Sequence, residues 1–114
     1  MKIEMEGVRL GRGKNNREHY MVRHKRVRGE KEAMAWHLTS VKQRPELPCT
    51  FVLTRCAPSK GLDDDNLVES LAAIRDAIAE WMKIDDRHSN LVRYVYEQNK
   101  KPWGVIVESR DGIG

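Results

Sequence analysis

The sequence predicts an α+β domain in which a small mixed β-sheet packs against two helices. Three observations lead to this prediction. Residues 49–56 form an apolar, β-branched run between Pro48 and Pro58, which is typical of a buried strand. Apolar residues then recur at helical spacing between Leu67 and Trp81, and two more strand-like runs follow. The expected element order is therefore β-α-β-α-β-β.

The length and composition predict one soluble domain. A chain of 114 residues can bury a single modest hydrophobic core, so residues 1–114 are expected to form one domain. No apolar run approaches the length of a signal peptide or a membrane span, so we expect a cytoplasmic protein with no membrane partner. Cys49 and Cys56 lack the spacing of a redox or zinc site and are expected to be reduced structural thiols.

The net charge of +4 is distributed unevenly along the chain. Between Arg9 and Lys31 there are nine Lys or Arg residues and two Glu, whereas between Asp63 and Asp86 there are eight Asp or Glu residues and two cations. This pattern suits a protein that binds phosphates with one surface and coordinates a metal with another. Segregated charge is also typical of an ordinary solvated surface.

The N-terminal part is expected to contain a short strand, a loop and a basic arm. Residues 1–10 alternate weakly, and residues 11–16 combine glycines, asparagines and cations without the spacing of a P-loop. Residues 17–28 mix cations with tyrosine, histidine and aliphatic side chains, which indicates contact with a DNA backbone. The structural alternative for this arm is a flexible polar segment or a basic hairpin.

A first helix is predicted over residues 30–43, because apolar residues follow one stripe and Pro45 lies just beyond its end. Trp36 and His37 on this helix are expected to pack rather than to bind a ligand. The strand at 49–56 then leads into an acidic loop that begins near Gly61.

The second helix is predicted over residues 66–82, with an apolar stripe on one side and charged residues on the other. Residues 91–97 and 103–108 have strand composition, and the turn residues 98–102 lie between them. These two runs are therefore expected to form a β-hairpin.

Two carboxylates of the acidic loop are candidate metal ligands. Asp63 and Asp65 are one residue apart, so in an extended loop both side chains project to the same side and can share one Mg²⁺. A site of this kind favours phosphodiester hydrolysis. The structural alternative is that Asp65 or Asn66 caps the helix, with Asn66 and Glu69 forming a capping box. Spacing alone leaves both alternatives open.

The length of the second helix separates two groups of carboxylates. A straight helix over 66–82 spans about 25 Å, which puts Asp85 and Asp86 at its far end from Asp63 and Asp65. Two antiparallel copies related by a two-fold axis would place Asp86 of one subunit beside Asp63 and Asp65 of the other. We therefore expect a composite metal site that is completed only in a homodimer.

These residues resemble RusA-type Holliday junction resolvases, a family found largely in prophages. The run from Asp63 to Leu67, the helix after it, and Ile84-Asp85-Asp86-Arg87 look like the family's D-x-D-N and D-D motifs. Residues 15–17, with the basic stretch and helix that follow, look like its N-terminal loop and arm, and the chain from Leu91 onward looks like its terminal hairpin.

The resemblance implies a RusA-like fold and a Mg²⁺-dependent homodimeric endonuclease that introduces paired nicks across a four-way DNA junction. It implies that Asp63, Asp65 and Asp86 are catalytic metal ligands, and Asp85 is a further candidate ligand. The expected contacts with branched double-stranded DNA are made by Asn15, Asn16, Arg17, Arg23, Lys25, Arg26, Arg28 and Lys60.

One departure from the family pattern bears directly on activity. Four residues after the second aspartate the family has a catalytic lysine, whereas this chain has Glu69. A cation there would stabilise transition-state charge and a carboxylate would not. Lys60 or Lys83 can substitute only if the fold brings one of them near the site. The alternatives are a catalytically impaired relative that binds structured DNA without cutting it, and an unrelated basic protein whose acidic run only caps a helix.

Overall fold

A computed structural model describes residues 1–11, 19–84 and 90–113. It confirms an α+β fold with a small mixed sheet, but with three helices in place of the two expected. In chain order the elements are β1 (Lys2–Glu6), α1 (Tyr20–Leu38), β2 (Cys49–Ala57), α2 (Asp64–Ser70), α3 (Ala72–Met82), β3 (Val92–Lys100) and β4 (Gly104–Asp111).

The four strands have the spatial order β1-β4-β2-β3. β2 pairs with β3 in parallel, and β4 is antiparallel to both β1 and β2. The expected hairpin of residues 91–97 with 103–108 is therefore wrong, because β2 lies between β3 and β4. β2 is apolar along most of its length and buried throughout, which favours a central position in the sheet.

The hydrophobic core lies between one face of the sheet and the helices. Alternate residues of a strand point to opposite faces, and the core includes Phe51 and Leu53 of β2, Val105 and Val107 of β4, and Leu71, Ile74 and Ile78 of the helices. α1 contributes Met34 and Leu38.

Cys49 and Cys56 are both free and buried, as expected for structural thiols. Their odd separation on β2 directs them to opposite faces of the sheet. Burial raises the pKa of the Cys49 thiol, and the negative charge of Asp111 raises it further.

α1 combines most of the predicted basic arm with the predicted first helix. The helix begins at Tyr20 and ends at Leu38, so a hairpin over residues 20–28 is excluded, and Arg17 lies outside the described residues. Good helix formers make up most of this stretch and no proline interrupts it, although Gly29 lies in its interior. Trp36 is 76% exposed rather than packed. Neither α1 nor any other helix in the described ranges is long and apolar enough to cross a membrane.

The predicted second helix is two helices that meet at Leu71. α2 already begins at Asp64. Leu71 has φ −100° and ψ 4°, a non-helical conformation that separates α2 from α3. The Ser70 hydroxyl donates a hydrogen bond to the Leu67 carbonyl at 2.7 Å, and the Leu71 amide is shared between the Leu67 and Val68 carbonyls. This local competition for helix carbonyls explains the break.

A partly buried ion pair fixes the middle of α1. Arg26 Nη1 lies 2.8 Å from Glu30 Oε2, and the Gly11 amide donates to the same oxygen at 3.2 Å. Glu30 is only 7% exposed, and the Arg26 guanidinium lies so close to Gly11 that a side chain at that position would force the guanidinium to move. Arg26, expected to contact DNA, therefore has a structural role in this fold.

We predict that Arg26→Ala lowers the free energy of unfolding by about 3 kcal/mol, because it leaves the Glu30 carboxylate buried without its ion-pair partner. Lys25→Ala removes the same charge from an exposed neighbouring position and is expected to change stability by less than about 0.5 kcal/mol. Urea unfolding of the two variants measures the difference. Equal urea midpoints for the two variants would show that Arg26 does not stabilise the fold.

Candidate metal and nucleic-acid site

Asp63 is the residue that caps α2. Its Oδ1 accepts hydrogen bonds from the backbone amide and from the side-chain Nδ2 of Asn66, both at 2.9 Å. The expectation that Asp65 or Asn66 is the cap is therefore wrong, as is the capping box of Asn66 with Glu69. Asn66 is 4% exposed and lies inside the first turn. The cap holds the Asp63 carboxylate in one orientation.

The three consecutive carboxylates at 63–65 are all exposed, at the start of α2. Asp63 has extended backbone, but Asp64 and Asp65 belong to the first helical turn, so the extended-loop geometry assumed for Asp63 and Asp65 is wrong. Exposed carboxylate oxygens of this kind suit Mg²⁺, which binds one or two protein carboxylates and keeps several waters. Within residues 1–11, 19–84 and 90–113 no three Asp, Glu, His or Cys side chains are grouped to hold a metal ion.

Several predicted site residues lie outside the described residues, namely Asn15, Asn16, Arg17, Asp85 and Asp86. The described residue Leu91, which comes shortly after the acidic pair in sequence, accepts a hydrogen bond from the Cys49 amide at 3.0 Å. Cys49 begins β2, whereas Asp63 follows the end of β2. Leu91 and Asp63 therefore lie at opposite edges of the sheet.

A cavity lined by cations adjoins the acidic loop, where the parallel strands β2 and β3 end. Its volume is about 280 Å³, and its lining residues are Arg55, Ala57, Ser59, Lys60, Gly61, Gln98, Asn99 and Lys100. Lys60 is thus three residues from Asp63 at the same edge. Lys83, the other candidate substitute for the missing lysine, ends α3, which runs back toward the start of β3.

Glu69 lines a second, smaller cavity of about 180 Å³ between α1 and the junction of α2 with α3. Arg23 and Arg26 line the same cavity. Glu30 lines the cavity as well and pairs with Arg26, so two arginines and two glutamates surround it, and a lysine at position 69 would leave the cations in excess. This arrangement gives a physical reason for an acidic residue at position 69.

The predicted DNA-binding residues of the arm differ in their environments on α1. Lys25 and Arg28 are exposed, and Arg28 lies 3.4 Å from His24. Arg23 is half-buried at the cavity of Glu69, and Arg26 is held by Glu30. Lys25 and Arg28 are therefore the residues of this group with the most accessible charge.

Sequence reasoning missed Ser59, Asn99 and Lys100 as candidate binding residues. The predicted hairpin assigned Asn99 and Lys100 to a turn, whereas β3 extends through both and pairs in parallel with the end of β2. The sequence does indicate this pairing, because residues 92–96 have β-strand composition and follow a helical segment. A helical crossover is the usual connection between parallel strands.

Another cavity lies away from the acidic segment. It has a volume of about 590 Å³ and is lined by Cys56 of β2 and by residues of β1, β4 and the β3–β4 connection, including Pro102 and Trp103. It does not include any of the predicted site residues.

Comparison of the chain with protein-family models, with curated proteins and with solved structures gave no match. The likeness to RusA-type resolvases therefore stays a prediction that rests on the motif residues.

We predict that Asp63→Asn and Asp63→Ala separate the capping role of this residue from a metal-binding role. Asparagine is a good N-cap, so Asp63→Asn should unfold close to the wild type, whereas Asp63→Ala should lose about 1 kcal/mol. Both substitutions should weaken Mg²⁺ binding, because both remove the carboxylate.

Thermal unfolding and Mg²⁺ titration by calorimetry test this pair of variants. Unchanged Mg²⁺ binding in both would leave Asp63 with a capping role alone and would favour a protein whose acidic run serves only the helix.

Proposed function

We propose that the protein is a Mg²⁺-dependent, structure-specific DNA endonuclease that acts as a homodimer on four-way junctions or related branched DNA. The observation that carries the proposal is that one short segment, residues 60–65, joins a cation-lined cavity to three exposed carboxylates at the start of α2. A phosphodiester hydrolase needs both features side by side, because the cations hold the phosphate backbone and the carboxylates hold the metal.

In the proposed reaction the chain's own residues orient the metal and the DNA. Asp63, held by its hydrogen bonds with Asn66, and Asp65 provide carboxylate oxygens at the start of α2. A bound Mg²⁺ supplies positive charge at the scissile phosphate and lowers the pKa of an attacking water. Lys25 and Arg28 on the exposed side of α1 bind flanking phosphates.

The polarity of the sheet supports a homodimeric site. β2 and β3 are parallel, so the chain between them leaves one edge near Asp63 and returns at the other edge near Leu91. Asp85 and Asp86 precede Leu91 closely in sequence. We therefore propose that Asp86, with Asp85, completes the metal site of the other subunit. Two sites related by a two-fold axis suit a junction that receives two symmetric nicks.

The second candidate function is binding of structured DNA without cleavage. Glu69 favours it, because the acidic side chain replaces the lysine that the family resemblance implies and lies in the cavity of Arg23 and Arg26. A DNA-binding protein would keep the exposed cations of α1 while lacking the charge that stabilises the transition state.

We predict that the wild-type protein nicks a labelled four-way junction in Mg²⁺, leaves a linear duplex of the same sequence intact, and is inactive with a chelator. Asp65→Asn should abolish cleavage while retaining or improving junction binding, because it removes one ligand and one charge that repels phosphate. Gel assays of cleavage and of binding measure both effects.

Asp76→Asn is the matched control, since it removes the same charge from an exposed position on α3. It should cleave at the wild-type rate. Wild-type cleavage by Asp65→Asn would remove Asp65 from the site.

We predict that Glu69→Gln leaves junction cleavage within about threefold of the wild type, because the proposed site takes its cations from elsewhere than position 69. Glu69→Lys distinguishes the two candidate functions in the same gel assay. A wild type that binds without nicking, together with a Glu69→Lys variant that nicks, would establish the non-cleaving alternative.

A further inference from the structure

The cavity at the carboxyl ends of β2 and β3 has an unusual charge. Arg55, Lys60 and Lys100 line it, and no acidic residue of the described chain does so. Ser59 and Asn99 add polar side chains that can donate hydrogen bonds. Several cations and neutral donors around one concave space are the groups that bind a phosphate.

The walls of this cavity are held in place by the sheet. The Gln98 side chain forms hydrogen bonds with both polar groups of the Leu62 backbone. Its Oε1 accepts from the amide at 2.9 Å, and its Nε2 donates to the carbonyl at 2.8 Å. On the other side, the Lys101 amide donates to the Ala57 carbonyl at 3.2 Å. The loop that carries Lys60 is therefore fastened to the end of β3.

The cations of the cavity differ in exposure. Arg55 is 3% exposed, and its guanidinium lies 5.6 Å from the centre of the Trp103 ring, so it is a buried residue of the cavity wall. Lys60 and Lys100 are exposed on two different segments, the loop after β2 and the end of β3. Their side chains can close on a ligand from two sides.

We propose that this cavity binds a phosphate group of the DNA strand that enters the site, with Lys60 and Lys100 as its main ligands. The identity of the strand rests on the proposed function. Lys60 and Asp63 are three positions apart in sequence, so their Cα atoms are at most about 11 Å apart. A duplex strand has one phosphate per about 3.4 Å of axis rise, so we expect the phosphate at Lys60 to lie a few nucleotides from the one at Asp63.

The charge of the acidic loop explains the need for such a site. Asp63, Asp64 and Asp65 put three negative charges where a phosphate has to approach, which opposes DNA binding when no metal is present. Lys60, on the loop just before Asp63, and Lys100, at the end of β3, offset that repulsion. The cavity thus positions the strand independently of the metal.

Binding of a labelled four-way junction and of a labelled ten-nucleotide oligo-dT to the full chain, both in chelator, tests the proposal apart from cleavage. Fluorescence anisotropy over a series of salt concentrations gives the affinity and its salt slope. Lys60→Ala and Lys100→Ala should each weaken binding by about tenfold and lower the salt slope by about one.

Two further variants make the result specific to the cavity. Lys42→Ala removes an exposed lysine before β2, at the other edge of the sheet, and should bind within about twofold of the wild type. Asn99→Asp changes an exposed cavity residue with little change in shape and should weaken binding as the lysine variants do, because it adds a negative charge. Wild-type affinity and slope in both lysine variants, or an equal loss in Lys42→Ala, would overturn the proposal.

Inorganic phosphate as a competitor identifies the source of the ligand. Competition that disappears in Lys100→Ala supports a site for any phosphate group, and lack of competition with intact lysine dependence supports a site for a DNA strand alone. The outcome of the cleavage assay does not affect this test. If the wild type never cleaves, the nuclease proposal fails, but the effects of Lys60→Ala and Lys100→Ala on binding still decide whether the cavity holds phosphate.

Discussion

Parallel pairing of β2 with β3 is the constraint on which the rest of the described structure depends. Parallel neighbours cannot be joined by a tight turn, so the chain has to cross from the end of β2 to the start of β3. α2 and α3 form this crossover, and their apolar residues cover one face of the sheet. The same pairing brings the ends of both strands to one edge, where the acidic loop and the cation-lined cavity lie side by side.

Much of this fold could be predicted from local patterns. β2 is recognisable from its unbroken apolar run, and the crossover from the recurrence of apolar residues between Leu67 and Trp81. The pairing of the strands is harder to predict, because residues 92–111 have the composition of a hairpin. In the structure β2, which is buried throughout, lies between β3 and β4. The spacing of apolar residues also does not predict the break at Leu71, since the break involves a side-chain hydrogen bond of Ser70.

The candidate site divides in the same way. The aspartates were identifiable because three adjacent carboxylates are unusual, and the structure adds that Asp63 is also the cap of α2. A charge count could not assign different roles to the arginines of the basic arm, because Arg26 and Lys25 look alike in sequence. Only packing shows that Arg26 is held by Glu30 and that Arg23 lies with Glu69. The negative charge of Glu69 is therefore explained by its arginine neighbours, which a comparison of motifs does not reveal.

We propose that each metal site takes Asp63 and Asp65 from one subunit and Asp86 from the other. Nicking of a four-way junction by a heterodimer of Asp63→Asn and Asp86→Asn tests it most directly, since one of its two sites would then be intact. Each variant alone should be inactive, and the purified heterodimer should restore single nicks. A heterodimer of Asp63→Asn with Asp65→Asn, in which both sites are damaged, should stay inactive. Inactivity of the first heterodimer, with both parent variants folded and the wild type active, would contradict the shared site.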